Sequence, residues 1–196
     1  MRFLFALLLC LPVSAADTGW VFATNGYSND YLSGTAWTNP GNVTAKDSVF
    51  ATCAPTALAY ADYIRGAFSL TIPTGATING IEVRFNAKRS ASGPAEVALY
   101  LVIGGTIAGT NGSLTASITG IASDYTRGSP TDLWGLTPTR DQCVATNFGF
   151  VVAFEDTDTS VETISVDSME IKVYYTEAGG PAPTYDAASL MALEGE

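Results

Sequence analysis

The sequence predicts an all-β fold: an antiparallel β-sandwich of jelly-roll type, one domain with a C-terminal tail. Three observations carry this expectation. Apolar residues recur at every second position over several short stretches, glycines and prolines punctuate those stretches, and few segments longer than a turn or two have the helical period. Side chains of an extended chain alternate between faces, so a period of two marks a strand with one face buried. Many such strands separated by turn residues fit a sandwich rather than a parallel sheet with crossover helices. With 196 residues, 47% hydrophobic and 14% charged, the chain has enough apolar material for one full core.

The N-terminus has the form of an export signal. Met1-Arg2 supplies a positive start, Phe3 to Leu11 an apolar stretch too short to span a bilayer, and Pro12-Val13-Ser14-Ala15-Ala16 a small-residue cleavage site. Residues 1–16 therefore read as a signal peptide, 17–177 as the sandwich and 178–196 as linker and tail. The expected location is secreted, on an extracellular surface or on a virion, with no stable membrane span.

Ile64, Phe68, Leu70 and Ile72 share one parity, with Arg65, Ser69 and Thr71 on the other. Residues 57–63 fit either extended chain or a helical turn. Pro73-Thr74-Gly75 is turn chemistry, and Asn79-Gly80 is expected to reverse the chain into a strand with Ile81, Val83 and Phe85 inward. Val97 to Ile103 is apolar on both faces, so it is either covered on both sides or meets a partner on one of them. Gly104-Gly105 ends that strand, and Asn111-Gly112 reads as a hairpin or tight loop. Trp134 fits a cap packed under the sandwich better than a solvent-facing sugar platform. Phe148, Phe150, Val152 and Phe154 form a further inward row, and Met169, Ile171, Val173 and Tyr175 the last. Ala178 to Pro183 has linker composition. Beyond it, Leu190, Met191 and Leu193 belong to a frayed terminus or to an arm that docks on a neighbouring subunit.

Charge and residue types exclude several functions. The net charge is −10, with nine basic residues against nineteen acidic ones and no basic run, so a nucleic-acid partner is not expected. There is no histidine, which removes the commonest general base, the usual zinc ligand and every Ser-His or Cys-His pair. An enzyme would have to be a carboxylate-dependent glycoside hydrolase, drawing on Glu82, Glu96, Glu162, Glu170 or the run Glu155 to Asp158. Solvated strand faces and a polar loop account for those residues, so no catalytic or cofactor residue is assigned and the chain reads as a non-enzyme. Asp156 and Asp158 have the spacing of oxygen ligands, but the glycine and terminal Glu of a helical calcium loop are missing, and no metal is assigned.

Four further sets of residues stand out. Without the leader, the cysteines are Cys53 and Cys143, an even count that predicts one disulfide in an exported chain. Closing a loop of roughly 90 residues would contribute on the order of 4 kcal/mol in the chain-entropy model. Trp20, Tyr27, Tyr31 and Trp37 lie among Asn, Ser and Gly, a composition suited to ligand or subunit contact, carbohydrate included, and equally to rings that fill the end of the sandwich. Asn42-Val43-Thr44 and Asn111-Gly112-Ser113 match the glycosylation acceptor pattern.

Several blocks resemble a family of β-sandwich modules frequent in phage structural proteins and exported bacterial surface proteins. They are Ala36 to Pro40, Ile72 to Val83, Asp132 to Thr137, Asn147-Phe148-Gly149 and Val166 to Tyr175, in that order across residues 20–176. The resemblance implies a non-catalytic structural or assembly module of a virion, filament or cell surface, whose partners are copies of itself or other surface proteins. The export leader and the cysteine pair depart from the phage members and favour a cellular or envelope surface. A secreted carbohydrate-binding (adhesion) module is the alternative.

Overall fold

The computed structural model describes residues 15–178. In chain order the strands are β1 (Ala15–Asp17), β2 (Val21–Phe22), β3 (Asn25–Asn29), β4 (Ala51–Cys53), β5 (Tyr63–Ala67) and β6 (Thr77–Arg89). They continue as β7 (Ala95–Ile103), β8 (Thr106–Ala108), β9 (Ser123–Ser129), β10 (Gly149–Glu155) and β11 (Ile164–Thr176). A 3-10 turn occupies Pro40–Val43, and a single-turn helix, α1, occupies Arg140–Cys143.

Two antiparallel sheets form the expected sandwich. The first runs β1-β11-β6-β9, with β2 and β4 also on the free side of β11; the second runs β3-β5-β10-β7-β8. β11 is the spine of the first sheet. It pairs with β6 from Ile164–Arg89 to Thr176–Thr77, while its other edge takes β4, β2 and β1 in succession.

The alternating rows build the core between the sheets. Ile81, Val83 and Phe85 of β6 and Met169, Ile171 and Val173 of β11 are fully buried, as are Ile64, Leu99, Leu101, Phe150, Val152 and Phe154 of the second sheet. Each such side chain contributes roughly 1.5–3 kcal/mol of transfer free energy. Phe85 and Phe154 meet edge to face across the sheets with centroids 5.8 Å apart, a favoured aromatic geometry. Trp134 caps this core: it is buried, and its indole N–H donates to the Ile81 carbonyl at 3.0 Å. Gly128, at φ 83°, leaves the space that this ring and carbonyl occupy.

Several local expectations need correction. Asn79 and Gly80 lie within β6, not in a turn; the reversal comes earlier, where Gly75 has φ 78° and the Ala76 N–H donates to the Pro73 carbonyl at 3.2 Å. Gly80 is needed because the Pro130 carbonyl fills the space a Cβ would take. Residues 57–63 hold a tight turn, closed by the Ala59 N–H on the Thr56 carbonyl at 3.0 Å, and then enter β5. The hairpin is at Gly104-Gly105, both at positive φ, between the paired residues Ile103 and Thr106. Asn111-Gly112 lies in a tight loop rather than a hairpin: the Asn111 Oδ1 accepts from the Ser113 N–H at 3.0 Å and from the Leu99 N–H at 2.9 Å, and its Nδ2 donates to the Val97 carbonyl at 3.2 Å.

The expected disulfide is not formed. Cys53 and Cys143 are both free and buried. Cys53 pairs with Ile164 at one end of β11, whereas α1 lines the same depression as Ile78, which pairs with Tyr175 at the other. Burial pushes both thiols up to about 12, and the Cys53 thiol donates to the Thr35 carbonyl at 3.1 Å.

Ala15 and Ala16, expected to close the leader, pair in β1 with Thr176 and Tyr175. Residues 1–14, and the tail residues Leu190, Met191 and Leu193, lie outside the described residues. Among the described residues no helix is long and apolar enough to cross a membrane.

Candidate functional site: the outer face of the five-stranded sheet

Strand parity decides what this face presents. With Ile64 in the core, Tyr63, Arg65 and Ala67 of β5 point outward; with Phe150, Val152 and Phe154 inward, Gly149, Val151 and Ala153 of β10 point outward. The register then aligns them in rungs across the sheet. One rung reads Tyr27–Arg65–Val151–Tyr100, and the next reads Asn25–Ala67–Gly149–Val102–Ile107. Beside them, Asn29 pairs with Tyr63 and Ala153 with Ala98. Tyr63, Ala98, Val102, Val151 and Ala153 form an apolar cluster separate from the core, with Tyr31, Val97 and Tyr100 packed against it. The outward face of an antiparallel sheet is ordinarily polar. Here its middle is small and apolar, and tyrosines flank it.

Two loops extend one side of this face. The Tyr31 ring lies 4.6 Å from that of Tyr63 and meets Tyr60 edge on at 5.4 Å. Next to those rings, Leu32 (φ 53°, 66% exposed) and Leu58 (φ 59°, 62% exposed) hold large apolar side chains in solvent in the left-handed conformation. That conformation is costly for a branched residue, and the combination marks a surface shaped for contact. Asp62 sets the arrangement from behind. Its carboxylate accepts from the Tyr31 N–H at 3.2 Å and the Ser28 hydroxyl at 3.3 Å, and its carbonyl accepts from the Trp37 indole at 2.7 Å.

Arg65 lies in the middle of its rung. Its guanidinium carbon is 5.7 Å from the Tyr27 ring centroid, and its Nη2 donates to the Asn147 carbonyl at 3.3 Å. Its Nε is buried and has no partner. A recess of about 130 Å³ opens beside it, lined by Asn29, Arg65, Val102, Gly105, Ile107 and Val151. Burial, reinforced by Tyr60, raises the Tyr31 phenol; burial, with Tyr31 and Tyr100 nearby, pushes Tyr63 up to about 12. Both phenols therefore keep their protons well above neutral pH and can donate as well as accept hydrogen bonds. The face offers flat rings, hydroxyls, amides and one cation, a set suited to binding.

A larger depression of about 430 Å³ lies at the end of the sandwich, between Ala76–Ile78 and Thr137–Arg140. No aromatic ring lines it, and the Arg140 side chain is already engaged by the Ile72 carbonyl at 2.8 Å and Asp141 at 3.0 Å.

The residues singled out by sequence divide. Tyr27 and Tyr31 are on this face. Trp37 is not at the surface: it is buried beneath the face, edge on to Phe154 at 5.9 Å. Trp20 lies with the opposite sheet, its ring centroid 4.2 Å from the Arg84 guanidinium carbon. Asn42 donates through Nδ2 to the Phe50 carbonyl at 3.0 Å, and Asn111 staples β7. The candidate carboxylates are individually engaged. Glu96 pairs with Arg127, Glu170 with Arg84, Glu82 accepts from the Tyr174 hydroxyl, and Glu162 accepts from the Ser90 hydroxyl. Asp156 is buried and accepts the N–H groups of Asp158 and Glu162, so it organises its loop. No group of three or more metal-ligating side chains is assembled among the described residues. Sequence reasoning missed Tyr60, Tyr63, Arg65 and Tyr100; the apolar outward positions of Val97 to Ile103 were the available signal.

No protein-family model matches the sequence. No curated protein matches it either. Solved structures with a similar fold include a family 4 carbohydrate-binding module, at 15% identity over 78% of this chain and 93% of that one, with a TM-score of 0.38. Another is the N-terminal cellulose-binding domain of a Cellulomonas fimi β-1,4-glucanase, at 13% identity over 82% and 90%, with a TM-score of 0.35. A third is a family 15 xylan-binding module, at 16% identity over 87% and 100%, with a TM-score of 0.35. The likeness is one of fold class, a β-sandwich.

Proposed function

We propose that this chain is a non-catalytic carbohydrate-binding module that holds a glycan across the outer face of its five-stranded sheet. The observation that carries the reading is the rung Tyr27–Arg65–Val151–Tyr100, in which two rings flank a guanidinium and a small apolar floor. A sugar ring has apolar C–H faces and a rim of hydroxyls. Tyrosine matches both, with a flat apolar body and a hydroxyl at its tip. Three strand spacings separate Tyr27 from Tyr100, about 14 Å, enough for a chain of sugars and too broad for one. Leu32 and Leu58 extend the apolar contact beyond the sheet. This reading takes precedence over the assembly role that the sequence resemblance implies, because the face combines stacking surfaces with convergent polar groups.

Isothermal titration with a panel of soluble xylan, mixed-linkage β-glucan and cello-oligosaccharides tests it. Wild type is expected to bind at least one without releasing reducing ends. The double variant Tyr27→Ala/Tyr100→Ala, folded by circular dichroism, is expected to bind none. Wild type that ignores the whole panel and sediments as an oligomer would return the face to self-assembly.

A further inference from the structure

The recess beside Arg65 deepens the glycan reading and rests on it. Of the eight described cations, five (Lys46, Arg84, Arg127, Arg140 and Lys172) lie within ion-pair distance of a carboxylate, Arg89 donates to the Ile118 and Ala91 carbonyls, and Lys88 lies over the Phe50 ring. Arg65 differs in keeping a buried nitrogen without a partner. Although acidic residues outnumber basic ones in this chain, its charge meets only the Asn147 carbonyl and the Tyr27 ring, and its buried Nε–H meets nothing. A buried donor without an acceptor costs free energy, so such groups are rare unless something comes to fill them.

The size of the recess says what fits. At about 130 Å³ the recess is below the range of a whole-ligand pocket. It takes a substituent, not a ring. A guanidinium edge offers parallel N–H donors, and the group that matches them in shape and charge is a carboxylate. The net charge of −10 opposes a dense polyanion, while the tyrosines suit uncharged ring faces. We propose that the recess is a carboxylate subsite. The ligand is then a glycan with a neutral backbone and sparse uronic acid branches, one carboxylate bonding to the Arg65 guanidinium where it lines the recess.

The test compares one polymer in two forms: glucuronoxylan, and the same glucuronoxylan with its carboxyls reduced to hydroxymethyl groups. Each is titrated into wild type and Arg65→Gln, whose fold is checked by its thermal melt. Wild type is expected to bind the carboxylate form about tenfold more tightly than the reduced form, in line with a charge-assisted hydrogen bond. Arg65→Gln is expected to lose the tenfold preference and bind both forms alike. Equal binding of the two forms by wild type overturns the subsite and leaves glycan binding standing. Binding of neither form overturns the subsite together with the use of this face for xylan. If Arg65→Gln fails to fold, the wild-type comparison decides by itself.

Discussion

The two outer faces of this sandwich are made by the same alternation and end with opposite chemistry. On the six-stranded sheet, β6 and β11 turn out a lattice of charge. Arg84 and Glu170 are cross-strand partners at 3.2 Å, the Tyr174 hydroxyl donates to Glu82 at 2.6 Å, and Asn86 donates to Asp124 at 2.6 Å. The protein covers that face itself. The segment after the 3-10 turn crosses it, with Lys46 reaching Asp124 at 2.8 Å, the Ser48 N–H on Asp167 at 2.9 Å and the Lys88 ammonium 4.1 Å from the Phe50 ring centroid. On the five-stranded sheet the outward residues are tyrosines, valines, alanines and Arg65; Ala98, Val102, Val151 and Ala153 are buried, with Tyr31, Val97 and Tyr100 packed against them, and Tyr27 is exposed at the edge. Polar groups beneath the protein's own chain serve stability.

That contrast can be broken from either side. The largest effect is expected at high pH. The thiols of Cys53 and Cys143 and the Tyr63 phenol are all raised to about 12, above their values in an unfolded chain. The unfolded state then loses its protons first, so stability is full below pH 9 and falls as pH rises from 9 towards 12. Urea unfolding across this range should show the decline, and a reductant should not shift the midpoint at neutral pH, because no disulfide links the cysteines.

Next in size is Glu170→Ala. Glu170 is 2% exposed and its loss strands Arg84, so unfolding free energy should drop by about 3 kcal/mol, while the folded protein binds glycan unchanged. Tyr27→Ala should do the reverse. Tyr27 is 43% exposed, so stability should stay within about 0.5 kcal/mol, whereas affinity by titration calorimetry falls at least tenfold, as for an aromatic anchor. The smallest effect is at the rim. Leu58→Gly relieves a left-handed φ of 59° and should raise stability by about 1 kcal/mol in thermal melts, with weaker binding as the cost of the lost contact.

Much of the fold was legible because alternation is a local signal. The rows of β6, β10 and β11 stand in the sequence as period-two patterns, and Trp134 could be placed under the sandwich by size alone. The site was harder because it is made by pairing. Tyr27 and Arg65 are far apart in the chain and become neighbours only through the β3–β5 register, and Tyr100 joins them through β10. Trp37 was open between surface contact and the sandwich interior: Asn and Thr surround it, and the Asp62 carbonyl satisfies its indole and lets it enter the core. The cysteine count predicted a bridge, but parity of number says nothing about whether two buried thiols meet, and both are free. Val97 to Ile103 gave the better clue. Apolar on both faces, it required cover on both sides or a partner, and its outward Ala98, Tyr100 and Val102 lie on the face now assigned to a ligand.

Amide and side-chain chemical shifts recorded during a titration with xylo-oligosaccharide test the account most directly. It predicts shifts confined to Tyr27, Tyr31, Arg65, Tyr100, Val151 and their strand neighbours, with Arg84, Glu170 and Lys172 unmoved. Shifts centred on the charged face or on the depression at Ala76–Ile78 would contradict it.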